Sequence, residues 1–149
     1  MMERREFITT SCSLCLALGS ASLLSALSSC ATIPVYETSI HNNDITVPLS
    51  LFADNNLQII RAKDFSYGIA LEKRTGENFT ALLLRCTHAS NPLTFTGNGF
   101  RCPLHGSKFA LDGEVTRGPA AIPLQKLFVE ISGDDILIHL NQYHKVEQR

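Results

Sequence analysis

The sequence predicts an all-β domain, an antiparallel β-sandwich or small barrel, and three observations carry that prediction. Apolar residues recur in runs of strand length, Gly, Asn, Asp and Pro punctuate the gaps between the runs, and no long amphipathic helical pattern follows Cys30. At 149 residues the chain has room for one compact core, because a useful core needs roughly 100 residues and a second would need about as many again. Hydrophobic residues at 44% and charged residues at 18% suit a globular chain and exclude disorder along most of its length.

The first apolar run is not a strand. Residues 1–30 open with Glu3-Arg4-Arg5-Glu6-Phe7-Ile8 and continue through Ser, Ala and Leu to Leu27-Ser28-Ser29-Cys30, which is the architecture of a signal peptide. The order Arg4-Arg5-x-Phe7-Ile8 is similar to a twin-arginine export signal, with Glu3 where that signal usually has Ser or Thr. Leu27-Ser28-Ser29-Cys30 is similar to a lipobox, in which the thiol of Cys30 would receive a diacylglycerol. An uncleaved anchor is the alternative, since residues 7–27 come close to the ~20 residues a bilayer core requires. Interspersed Ser, Thr and Gly favour the export signal. Both readings tether the domain outside the cytoplasm, on the periplasmic side of the inner membrane or at the outer membrane. Cys12 and Cys15 have redox-motif spacing without a strand-to-helix context, so they read as part of the apolar stretch.

Residues 31–43 carry Pro34 and no sustained periodicity, which reads as a linker. The folded domain is expected over 44–141. Strands are expected near residues 45–49, 57–61, 67–73 and 79–85, with Arg74-Thr75-Gly76-Glu77-Asn78 as a turn between the last two. The runs at 127–131 and 136–140 flank Ser132-Gly133-Asp134-Asp135, a hairpin signature. Residues 142–149 are a polar tail. His41, His139 and His144 have no paired ligand in the sequence and read as surface or strand-end residues.

Between the strand runs lie Arg85-Cys86-Thr87-His88 and Arg101-Cys102-Pro103-Leu104-His105-Gly106-Ser107. Cys-x-His and Cys-x-x-His are two tight pairs of metal ligands on two loops. A pair close in sequence clamps an inorganic centre from one side at little cost in chain entropy, and the second loop closes the other side. Spacing alone leaves two readings open: a tetrahedral zinc stabilising a binding module, or an iron-sulfur centre.

The surrounding residues decide between them. Cys86-Thr87-His88, Cys102-Pro103-Leu104-His105-Gly106-Ser107 and the later Gly118-Pro119-Ala120 together resemble the Rieske family, over roughly residues 45–140. The resemblance implies a Rieske-type sandwich or small barrel with two cluster-binding loops. It also implies one 2Fe-2S cluster, one iron on Cys86 and Cys102 and the other on His88 and His105. By the same resemblance Ser107 donates a hydrogen bond to a cluster sulfur, and Pro119 belongs to a proline loop that covers the centre from a third side.

Two departures from the high-potential branch of the family, found in cytochrome bc complexes, follow from the residues present. Phe109 stands where that branch has a Tyr hydroxyl, and Asn91 and Leu104 stand where it has the cysteines of a loop disulfide. The expected potential is therefore in the middle of the range known for such centres, roughly −150 to +300 mV.

The implied function is single-electron transfer, as a membrane-tethered carrier or the Rieske subunit of a respiratory complex. Its partners would be redox proteins, a cytochrome or a quinol-oxidising complex among them. No catalytic constellation accompanies the ligands. A net charge of −1 with scattered basic residues argues against a nucleic-acid partner. The ferredoxin of a cytoplasmic dioxygenase shares the fold but conflicts with the export signal.

Overall fold

A computed structural model describes Ile33 and residues 35–141. The signal peptide, its Cys30 and the polar tail lie outside the described residues. The strands, in chain order, are β1 Val35–Thr38, β2 Ile40–His41, β3 Asp44–Pro48, β4 Leu57–Ala62, β5 Ile69–Lys73, β6 Phe79–Leu83, β7 Thr94–Phe95, β8 Phe100–Arg101, β9 Lys108–Phe109, β10 Val115–Arg117, β11 Lys126–Ser132 and β12 Asp135–His139. Between β3 and β4 sits a single 3-10 turn, Leu49–Phe52. Among the described residues no helix is long and apolar enough to cross a membrane.

Eight strands form one sheet in the order β1-β4-β5-β6-β11-β12-β3-β2, which curls until it is nearly closed. Its inward face is the main core, with Ile45, Val47, Ile60, Leu71, Leu83, Ile136 and Ile138 almost fully buried. Period-two alternation explains why these residues meet, since every second side chain of a strand faces the same way. Phe52, from the 3-10 turn, and Phe79 close the core by an edge-to-face contact with centroids 5.0 Å apart.

The expected strands near 45–49, 57–61, 67–73, 79–85, 127–131 and 136–140 correspond to β3, β4, β5, β6, β11 and β12; β3 and β12 are shifted by one residue, β5 and β6 trimmed, and β4 and β11 extended. The expected hairpin is present. Ser132 pairs with Asp135, and Gly133 takes φ +63 at the first turn position, a conformation that glycine adopts without a Cβ clash.

The linker reading of residues 31–43 is corrected over residues 35–43. β1 pairs with β4 in parallel, Val35 opposite Ile59 and Thr38 opposite Ala62, so the sheet is not wholly antiparallel. β2 and β3 form a hairpin, His41 opposite Asp44, around Asn42 and Asn43 at φ 53 and 67. Positive φ at both central positions is the tight turn that Asn tolerates best after Gly. Strands of four and two residues are too short to show a period, which is why this segment read as a tether.

A second, four-stranded sheet has the order β10-β9-β8-β7. Phe95, Phe100, Phe109 and Val115 lie opposite one another across it. Phe100 and Phe109 are at most 2% exposed and pack with Leu82, Leu84 and Leu124 in a second apolar cluster. Both metal-ligand pairs sit at the edges of this cluster.

Candidate metal centre

Each ligand pair stands on a loop that begins where a strand ends. Loop A, residues 86–91, leaves the chain after β6 and closes at an isolated bridge between Arg85 and Pro92. Loop B, residues 102–107, joins β8 to β9. The two loops share one backbone framework. In loop A the Cys86 N–H donates to Asn91 O at 2.8 Å and the Ser90 N–H to Cys86 O at 2.8 Å. In loop B the Cys102 N–H donates to Ser107 O at 2.8 Å and the Gly106 N–H to Cys102 O at 3.1 Å.

The fifth residue of each loop has positive φ, Ser90 at 53 and Gly106 at 78. Glycine suits that conformation, whereas for Ser90 it costs about 1–2 kcal/mol. Two neighbours offset that cost. The Arg85 guanidinium donates to Ser90 Oγ at 2.7 Å and the Tyr67 hydroxyl to Ser90 O at 2.9 Å. The Arg85 guanidinium also lies over the Tyr67 ring, 5.7 Å from its centroid.

The framework sorts the ligands by depth. Cys86 and Cys102 are 1% and 0% exposed and form no disulfide. His88 and His105 are exposed, with ring centroids 5.0 Å apart and planes at 84°. Two thiols within and two imidazoles without is an arrangement of two pairs.

Electrostatics favour the ligating form of the inner pair. Burial pushes the Cys102 thiol up, but the His105 and Leu104 N–H groups and the Cys86 thiol, all hydrogen-bonded to its sulfur, outweigh burial and bring it below the ordinary value. A pocket that stabilises sulfur carrying negative charge suits thiolates shared with iron, and the backbone N–H groups are donors of the kind that tune such a centre.

Ser107 is 0% exposed, and its Oγ accepts the Ala120 N–H at 3.1 Å. The hydroxyl proton is not used in that bond, which leaves it to be donated. Ala120 is 5% exposed and belongs to the predicted proline loop, whose Gly118-Pro119 peptide is cis. Pro119 itself is exposed. Further along that loop, Ile122 O accepts from the Thr87 hydroxyl at 2.7 Å. The structure thus brings together Cys86, Cys102, His88, His105, Ser107 and the proline loop.

Phe109 is buried beneath the site with no polar group of its own. Asn91 and Leu104 lie on different loops, and Leu104 is 61% exposed. Of the other histidines, His41 Nε2 is 3.0 Å from Ser39 Oγ and His139 Nδ1 is 2.8 Å from Asp44 Oδ1, while His144 lies outside the described residues. Sequence reasoning missed Thr87, Ser90, Arg85 and Tyr67. Only Thr87 had a usable signal, a hydroxyl between two ligands.

The family model described as Rieske [2Fe-2S] domain matches residues 46–131. Among curated proteins, cytochrome b6-f complex iron-sulfur subunit 3 of Nostoc sp. is 47% identical over 55 residues, 37% of this chain and 29% of that protein. The chloroplastic cytochrome b6-f complex iron-sulfur subunit of Bigelowiella natans is 40% identical over 77 residues, 50% of this chain and 31% of that protein. The chain spans about a third of the length of these relatives. Among solved structures, the plasma membrane Rieske protein of Synechocystis matches with a TM-score of 0.50 and 22% identity, over 63% of this chain and 97% of that one. Naphthalene 1,2-dioxygenase matches at 0.52 and 20% identity, over 67% and 26%. At these identities the structural matches establish a shared fold.

Proposed function

Because the chain belongs to the Rieske [2Fe-2S] domain family, we propose that it transfers single electrons through a 2Fe-2S cluster held by Cys86, Cys102, His88 and His105. The observation that carries this reading is the sorting of the ligands into a buried, hydrogen-bonded thiol pair and an exposed imidazole pair in edge contact. When bound, such a cluster accepts and releases one electron without making or breaking a bond to substrate.

The protein's own groups set the terms of that exchange. Cys86 and Cys102 would bind the inner iron, shielded from water by Leu84, Phe100 and Phe109. His88 and His105 would bind the outer iron and present the shortest way in and out, because they alone of the four reach solvent. Neutral imidazoles in place of two thiolates leave the site less negative, which favours reduction. The Ser107 hydroxyl, held by the Ala120 N–H, favours the reduced state further by donating to sulfur. With Phe109 in place of a hydroxyl donor, the potential sits in the middle of the Rieske range.

The relatives named above are subunits of cytochrome b6-f complexes, which supports a membrane redox complex as the setting for this chain. The signal-like residues 1–30 support export and a lipid anchor at Cys30. The cofactor assignment is tested by isolating the protein under argon. A brown protein with stoichiometric iron and sulfide and a reduced-state paramagnetic signal supports it, and a colourless protein carrying zinc refutes it. The anchor is tested by Cys30→Ala: a variant that stays with membranes and keeps its full N-terminus refutes lipidation.

A further inference from the structure

The face of the four-stranded sheet opposite its buried aromatic row carries a row of cations. Thr94 pairs with Arg101, Arg101 with Lys108 and Lys108 with Arg117 across β7, β8, β9 and β10. All four residues are exposed. Regular pairing would not align them. The register shifts between Val115 and Arg117, and this bulge lets Arg117 join Lys108 on the outer face although Val115 opposes buried Phe109.

Like charges directly opposite on neighbouring strands destabilise a sheet. None of the three takes part in an ion pair among the described residues; those found involve Arg74 with Glu72, and His139 with Asp44 and Glu130. Of the nearest acids in the chain, Asp112 accepts the Glu114 N–H in the turn before β10, and Glu114 forms no ion pair with the row among the described residues. The chain as a whole has a net charge of −1, so the row is not a by-product of a basic protein. Its position is also specific: Arg101 precedes Cys102, Lys108 follows Ser107 and Arg117 precedes Gly118 of the proline loop. A groove of about 270 Å³ lined by Thr94, Thr96, Arg101 and Pro103 joins the row to loop B.

We propose that Arg101, Lys108 and Arg117 form a docking surface for the acidic face of a protein electron carrier that exchanges electrons with the histidine end of the site. The inference rests on the electron-transfer reading. Uncompensated cations attract an acidic surface, speed encounter and set its orientation beside the ligand loops. An anionic membrane is the competing occupant of such a row, and the test separates the two.

The full-length protein is reduced and mixed by stopped flow with an oxidised acidic plastocyanin or an oxidised basic cytochrome c, each taking one electron. The comparison uses wild type and the triple variant Arg101→Gln, Lys108→Gln, Arg117→Gln. The expected result is a rate with plastocyanin that falls as salt rises and drops about tenfold in the variant at low salt, with no drop for cytochrome c. The variant's thermal midpoint should not fall, since like-charge repulsion is removed. Equal losses with both carriers, or none with plastocyanin, overturn the proposal. So does a variant that reacts normally with plastocyanin but no longer sediments with phosphatidylglycerol vesicles, which assigns the row to the membrane. A wild-type protein that reduces neither carrier overturns the electron-transfer reading instead.

Discussion

Replacing Ser107 by alanine separates two functions of one hydroxyl. In the structure Ser107 is fully buried and its Oγ accepts the Ala120 N–H at 3.1 Å. Ser107→Ala leaves that buried amide without a partner, which costs about 1–3 kcal/mol of stability. On the proposed function it also removes the proton offered to a cluster sulfur. A hydrogen bond to a charged acceptor contributes about 1.5–3 kcal/mol, and only the part by which it is stronger in the reduced, more negative state moves the potential. If about half the upper value is differential, the redox equilibrium shifts about tenfold, or ~59 mV for one electron. The sign is fixed by charge: losing a donor disfavours reduction, so the potential falls. Thermal denaturation reads the loss of stability and an EPR-monitored redox titration reads the shift in potential. A variant that is less stable but has an unchanged potential would refute the hydrogen-bond argument and reduce Ser107 to a clip for the proline loop.

Phe109→Tyr places a hydroxyl beneath the site and should raise the potential in the same titration; an unchanged value means that the new donor does not reach sulfur. Cys86→Ala should abolish bound iron and colour, measured by metal analysis, since one buried thiol is left to hold the inner iron. Cys102 sits below its ordinary thiol value of 9.0, so the unfolded cluster-free chain binds more protons than the folded one between the depressed value and about pH 9. That contribution to stability is complete above the unfolded value and is lost as pH falls through the folded one. Urea midpoints of the cluster-free protein should therefore rise toward pH 9, and Cys102→Ser should flatten the rise. Gly99→Ala would drive a Cβ into the carbonyl of Phe109, pushing β8 from β9 at a cost of about 1–3 kcal/mol; an unshifted thermal midpoint would show that the strands part freely.

The large sheet was legible because β3 to β6, β11 and β12 are five to seven residues long, enough for apolar runs and turn residues to register. The small sheet was not. Its strands are two or three residues each, too short for any period, and Phe100-Arg101 and Lys108-Phe109 show an inner and an outer row only once they are paired. Among site residues, Cys86, His88, Cys102 and His105 were legible as candidate ligands from residue type and spacing. The groups that shape them were not, because Tyr67 and Arg85 reach Ser90 from outside loop A. The hairpin at Asn42-Asn43 did leave a signal, a turn dipeptide between His41 and Asp44 that the linker reading passed over.

The missing disulfide poses a mechanical question that the structure answers. With Asn91 and Leu104 in its place, the two loops have no direct covalent tie. Instead, each loop is fastened to the same third segment. Loop A is held through the Thr87 hydroxyl to Ile122 O and loop B through Ser107 Oγ to the Ala120 N–H. A neutral hydrogen bond of this kind is worth about 0.5–1.5 kcal/mol net, less than the ~2–4 kcal/mol typical of a disulfide, so the loops are joined more weakly and through an intermediary. Coupling should then appear between residues on different loops. Thr87→Val and Ser107→Ala each free one end of the segment, and once one end is free the other bond has less left to hold in place. The double variant should therefore lose less stability than the sum of the single losses, by more than the ~0.5 kcal/mol scatter expected of independent sites. Strict additivity would mean that the loops are held by their own frameworks, and that the third segment only covers them.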